Sequence, residues 1–241
     1  MVVSILDFLN GLFSLVFVII SISVGILIAL RYPKKKDRSF LLVGITWILM
    51  TAPWYPSSIA FIVFIFTGIQ ISMYPIMIIG NIILPFALIT WIIAFTELIY
   101  PKREKIFALV SSLFVICYLI LFFIFLIKRP SLIGEELGMA DVKTGPLVIV
   151  FQVILLLIVI ITGTIFARVS LKVESKEVRL KGKFLLIAFY SFTVGALLDV
   201  FSSSSILLLI IARIILISSA LEFYCGFIMP PWIKKILKIE G

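Results

Sequence analysis

Four ionisable side chains stand inside long apolar runs: Glu97, Asp199, Arg213 and Glu222. An ionisable group at membrane depth is costly, so each is by default a candidate for function. A carboxylate and a guanidinium at matching depth form an ion pair, and the guanidinium can also receive an anionic or zwitterionic ligand. Glu222 follows Ser218 and Ser219 by one helical turn. A carboxylate so bordered can relay protons, or it can simply anchor to a nearby lysine or arginine. Other chemistry is excluded by residue type. There is no histidine, which removes imidazole acid–base catalysis, histidine-ligated haem and histidine metal sites. Cys117 and Cys225 lie in different apolar runs, an arrangement that predicts neither a disulfide nor a metal site. No catalytic constellation and no cofactor site are expected, and the chain reads as a non-enzyme.

Lipid is the solvent that positions these groups. The chain has 241 residues, of which 63% are hydrophobic and 14% charged, with a mean hydropathy of +1.31. Soluble domains carry about 45–50% apolar and about 25% charged residues. A span of about 20 apolar residues crosses roughly 30 Å of hydrocarbon. Six runs meet that requirement, near 5–30, 75–100, 106–127, 146–167, 183–201 and 206–229. The first has no basic leader and is too long for a signal-peptide core, so it reads as a retained helix.

Charge sets the count and the orientation. Seventeen of the 21 lysines and arginines fall in four clusters, at 31–38, 102–105, 168–183 and 234–238. The net charge of +9 therefore belongs to short loops between spans and does not signal a nucleic-acid partner. Cytoplasmic loops concentrate lysine and arginine, so all four clusters are expected inside. Residues 39–101 must then cross the membrane an even number of times, and two crossings fit. The expected fold is an all-α membrane protein of seven transmembrane helices over residues 1–229, N-terminus outside and C-terminus cytoplasmic, in the cell membrane. Residues 230–241 alternate apolar and basic side chains after Pro230 and Pro231. They are expected to form a short amphipathic cytoplasmic tail lying on the anionic inner leaflet.

The rise per residue then fixes depths. Asp199 lies about 7 Å and Arg213 about 10 Å below the outer boundary. They sit on helices six and seven, joined by a short turn at Ser202 to Ser205. An Asp199–Arg213 ion pair is therefore expected. It either locks helix six to helix seven or lines an outward-facing ligand pocket. Glu222 falls on the opposite face of helix seven from Arg213, since nine residues at 100° make half a revolution. Glu97 and Glu222 share a depth near the inner surface, and the loop lysines and arginines are their expected partners.

Further irregularities mark the second and third spans. Pro53-Trp54-Tyr55-Pro56-Ser57-Ser58 interrupts the run from Phe40 to Thr67. The helix either continues with a kink or breaks there, with 58–67 as a half-helix at the outer face. The interfacial preference of Trp54 and Tyr55 favours the break. In helix three, Asn81 and Pro85 share a face, and a mid-membrane proline loosens the hydrogen-bond ladder, as a gating kink or an ordinary packed one. Small residues on the Ala188, Phe192, Gly195 and Asp199 face permit close helix approach. Gln152, Thr162, Gly163 and Thr164 read as packing glue. Residues 129–145 form the only sizeable outer loop, mildly acidic through Glu135, Glu136 and Asp141. Phe40-Leu41-Leu42 and Phe184-Leu185-Leu186 each follow a basic loop, the placement a parallel internal repeat would give.

Several seven-helix families are excluded. Retinal would need a lysine in the last span, and none lies between Lys183 and Lys234. The sequence Thr96-Glu97-Leu98-Ile99-Tyr100 has no arginine after the acid, and the last span lacks Asn-Pro-x-x-Tyr, so the marks of G-protein-coupled receptors are missing. The Pro-Gln dipeptide of seven-helix sugar transporters is missing too. With Pro53 to Ser58, Arg179-Leu180-Lys181-Gly182-Lys183 and Phe223-Tyr224-Cys225-Gly226-Phe227, the chain resembles seven-helix membrane proteins of archaeal type. More distantly it resembles the seven-helix input regions of sensor histidine kinases. That resemblance implies a receptor-like or sensor module. Because the chain stops at Gly241, a separate cytoplasmic signalling protein docking at loop 168–183 would carry the output. A small-solute transporter or channel and a structural, lipid-organising protein are the alternatives, and the ligand is left open.

Overall fold

The computed structural model describes residues 4–138, 142–202 and 205–236. Seven of its helical segments are long and apolar enough to cross a membrane, and the protein is a polytopic all-α membrane protein. In chain order the helices are α1 (Ile5–Ala29), α2 (Tyr32–Lys35), α3 (Arg38–Met50), α4 (Tyr55–Thr67), α5 (Met73–Ile99) and α6 (Glu104–Lys128). After a short antiparallel pair, β1 (Gly134–Glu136) and β2 (Val142–Thr144), come α7 (Pro146–Leu171), α8 (Lys176–Asp199), α9 (Ile206–Ile228) and α10 (Pro231–Ile236). The two ends of the bundle are termed the hairpin face, which carries β1 and β2, and the basic face, which carries the described residues of the four lysine and arginine clusters.

Local chemistry starts and stops these helices where the apolar runs change. Ser4 caps α1, accepting from the Asp7 amide at 3.0 Å. Asp37 caps α3 through the Ser39 amide at 2.9 Å. Each cap satisfies one of the amide donors that a helix start leaves without an internal partner. Gly68 ends α4 with φ of +69°, a left-handed conformation that costs glycine little.

The spans form a closed ring. α1 packs on α3, α3 on α5, α5 on α7, α7 on α8, α8 on α9, and α9 returns to α1. α6 stands outside that ring against α5. It shows Ile106, Leu109, Leu113, Ile116, Ile120 and Ile127 to the surroundings. An apolar surface of that extent is a lipid-facing surface. The core is aromatic and aliphatic, with Phe17, Val43, Phe122, Leu216 and Phe223 at or near zero exposure.

The Pro53–Pro56 interruption has a specific form. The chain leaves α geometry for one 3₁₀ turn over Ala52–Trp54 and resumes at Tyr55. α4 is thus longer than the expected half-helix from 58, and it does not depart from the bundle. Its register against α1 is continuous with that of α3. A Cβ added to Gly25 would meet Ile48 and the Gly44 carbonyl, Phe17 lies 4.9 Å from Trp54, and Phe8 lies 5.2 Å from Phe61. Contacts that move back along α1, from Gly25 to Phe17 to Phe8, move forward along α3 and α4, from Ile48 to Trp54 to Phe61. The second span therefore runs the full length of the first with a phase change midway.

The loop after α6 is ordered over its described residues. Gly134 pairs with Thr144, Glu135 with Lys143 and Glu136 with Val142, and Ile133 is buried against the bundle. Gln70 donates to Glu136 at 3.3 Å, and Gly138 lies so close to Asp7 that a Cβ there would collide with its carboxylate. The hairpin is thus held against α1 and the α4–α5 connection. Asp141 of the acidic loop, Ser203 and Ser204 of the expected turn, and Leu237 to Gly241 of the tail lie outside the described residues.

The start of the tail is docked on the bundle. α10 buries Ile233 against Cys225, Met229, Leu180 and Phe184, and Lys234 Nζ lies 2.6 Å from Glu177. Trp232 and Ile236 face outward.

Candidate functional site

Arg213, in the second turn of α9, is 2% exposed. Its Nη1 lies 3.2 Å from Asp199 Oδ1, at the last residue of α8. Its Nη2 donates to Asn10 Oδ1 of α1 at 2.6 Å. Trp54, in the 3₁₀ turn, donates its indole N–H to Asp199 Oδ2 at 2.8 Å. The guanidinium carbon stands 5.9 Å from the Trp54 ring, within cation–π range. Four segments, α1, the 3₁₀ turn, α8 and α9, meet in this cluster. Close approach of α8 and α9 is enforced beside it, because a Cβ on Gly195 would fall 2.9 Å from Leu216 Cγ. A buried guanidinium is tolerated when its charge is balanced; Asp199 supplies that balance, and Asn10 takes a hydrogen bond from Nη2.

The cluster forms one end of a cavity of about 390 Å³, within the roughly 300–1,000 Å³ range of small-molecule sites. Gln152 and Leu155 of α7, Asn81 of α5, and Pro53 and Ser57 also line it, while Ile133 and Val142 to Thr144 form its roof. The Gln152 amide makes no hydrogen bond among the described residues. The Asn81 amide is engaged, donating to the Met77 carbonyl at 3.0 Å and accepting from Tyr118 at 3.4 Å. Pro85 stays within α5, where it removes the donor that would otherwise bond the Asn81 carbonyl. Toward the middle of the bundle the cavity meets stacked rings. Phe192 lies 6.1 Å from Trp54 and 5.6 Å from Trp47, and Trp47 stacks on Phe223 at 4.1 Å.

The candidate residues at the basic face fall in separate places. Glu97 receives Arg38 Nε at 3.0 Å, and the same guanidinium also contacts Glu104, tying α3, α5 and α6 together. Glu222 lies elsewhere and differs from expectation. Its Oε1 accepts from Ser218 at 2.7 Å within its own helix, and no lysine or arginine pairs with it among the described residues. Its Oε2 is buried and makes no hydrogen bond among the described residues. Ser219 bonds the Leu216 carbonyl and does not reach Glu222. Thr162 accepts from the Trp91 indole at 2.7 Å, a packing role. Among the described residues no group of three or more metal-ligating side chains occurs.

Asn10 and Trp54 are the members of the cluster that sequence reasoning left out. Asn10 had a usable signal, being the only amide in the first span at nearly the depth of Arg213. Trp54 had none, since an indole beside prolines fits an interfacial belt equally well. Comparisons with protein-family models, with curated proteins and with solved structures find no match to this chain.

Proposed function

We propose that the protein is a receptor-like or sensor module that binds a small ligand in the cavity below the hairpin. The supporting observation is the shape of that cavity. It has a charged, hydrogen-bonded end at Arg213 and Asp199, a hairpin roof and, toward the middle of the bundle, a wall at Phe192, behind which Trp47 and Phe223 are packed. A site served from one side suits recognition better than passage. By the positive-inside rule the basic face is cytoplasmic and the hairpin face is outside, which puts the ligand site in the outer half of the cell membrane. Loop 168–183 and docked α10 would then face a cytoplasmic signalling partner. A transporter is the alternative, and its one specific support is Pro85, a potential hinge one turn from Asn81 in the cavity wall.

The deciding experiment places the purified protein in liposomes and records charge movement and solute uptake for a panel of ions, amino acids, sugars and nucleosides. Thermal unfolding is followed with the same panel and with single-chain amphiphiles. The expected result is no saturable flux, with at least one compound raising the melting temperature. Saturable flux that Gln152→Leu abolishes would make the protein a transporter.

A further inference from the structure

The packing of α7 against α8 changes along its length. In the half near the basic face the two helices touch closely. A Cβ on Gly163 would sit 2.6 Å from the Phe189 ring, and one on Gly182 would sit 3.0 Å from the Ala167 carbonyl. Such contacts allow no space between backbones. The same antiparallel register, continued toward the hairpin face, sets Val153 opposite Asp199 and Leu156 opposite Ala196. There residues of both helices line the cavity.

Three of those lining residues also belong to the outer surface of the bundle. Val153 is 40% exposed, Leu197 47% and Val200 53%. Val153 is seven residues into α7, about 10 Å from the hairpin end at 1.5 Å per residue. Exposed apolar side chains at that depth face hydrocarbon. The cavity therefore opens sideways into the bilayer, between α7 and α8.

The lining selects the class of molecule that could use such an opening. Most of the wall is apolar, from Ile76, Leu84, Val148, Leu155 and Phe192. At the polar end the charges are already balanced, Arg213 against Asp199. Lys143 of the roof is held by Glu135 at 3.9 Å, so a head group with net charge would meet only cations and anions already paired and would lose its hydration. An uncharged head with hydroxyl groups would meet the Gln152 amide and the Ser57 hydroxyl, both lining the cavity. We infer that the cavity takes a single-chain amphiphile with an uncharged, hydrogen-bonding head, which arrives from the bilayer between α7 and α8. This rests on the reading of the cavity as a ligand site and names its ligand class and route.

The test is a titration followed by native mass spectrometry of the purified protein released from detergent. The probes are 1-monolauroylglycerol, dodecanoate, dodecyltrimethylammonium and glycerol. The expected result is saturable one-to-one binding of 1-monolauroylglycerol, at least tenfold tighter than that of either charged amphiphile, with no binding of glycerol. Leu197→Trp, a substitution at a lipid-facing site that should leave the fold intact, narrows the opening and should weaken binding at least tenfold. Gln152→Leu should do the same, while Leu113→Trp on the outer face of α6 should change nothing. Equal binding of all three amphiphiles, or unchanged binding in Leu197→Trp, would show surface lipid only and overturn the inference. A water-soluble compound that stabilises wild type and Leu197→Trp alike would overturn the bilayer route yet leave the receptor reading standing. Saturable flux in liposomes would remove the receptor reading by itself.

Discussion

The two halves of the bundle handle charge in opposite ways. At the basic face, Arg38 reaches Glu97 and Glu104, and Glu177 holds Lys181 at 2.9 Å and Lys234 at 2.6 Å, all with partly exposed side chains. These pairs staple helix ends where water still solvates them. At the hairpin face one pair, Arg213 and Asp199, is carried into the bundle with Asn10 and Trp54 around it. The contrast separates solvated anchoring pairs from a buried pair that fixes geometry. Solvated pairs add little energy individually, whereas a buried pair imposes its geometry because either partner alone is strongly unfavourable.

Three single substitutions and one double variant test that contrast. Arg213→Ala should have the largest effect, leaving Asp199 buried without its cation at a cost of about 3–5 kcal/mol. Thermal unfolding in detergent reads it directly. The double variant with Asp199→Ala should be about as stable as Arg213→Ala alone, and simply additive losses would mean that the two groups do not interact. Gly163→Leu should come next, overpacking the tight half of the α7–α8 contact for a loss of about 1–3 kcal/mol. Binding of 1-monolauroylglycerol should weaken less than stability, since the cavity lies at the other end of that contact. Arg38→Ala should matter least, at up to about 1 kcal/mol. Its effect should shrink further when unfolding is repeated in high salt, as expected for exposed charges. A large, salt-independent loss there would erase the distinction between the two faces.

Much of the bundle was readable from the sequence because hydrocarbon thickness is a ruler. It gave six spans, the placement of the basic clusters supplied the seventh, and the rise per residue set Asp199 and Arg213 at one depth on helices joined by a short turn. The same ruler carries no azimuth, which is why Asn10 and Trp54 escaped. Each joins the cluster through a contact 203 or 145 residues away in sequence, and which way a helix faces depends on neighbours. Glu222 shows the same failure on a smaller scale. Depth suggested a loop cation, but its rotation turned the carboxylate onto Ser218. The hairpin was invisible for another reason, since two three-residue strands leave no period to detect.

The 3₁₀ turn at Ala52–Trp54 has a consequence for how the chain tolerates change. A 3₁₀ helix advances about 120° per residue against about 100° for an α-helix, so three residues accumulate roughly 60° of extra rotation. That rotation lets the second span point Trp54 at Asp199 and then, seven residues later, lay Phe61 against Phe8 and Gly11. The turn works as a gear between two helical faces. Deleting a single residue within it would leave the apolar run long enough to insert, yet would swing every α4 side chain by about a third of a revolution.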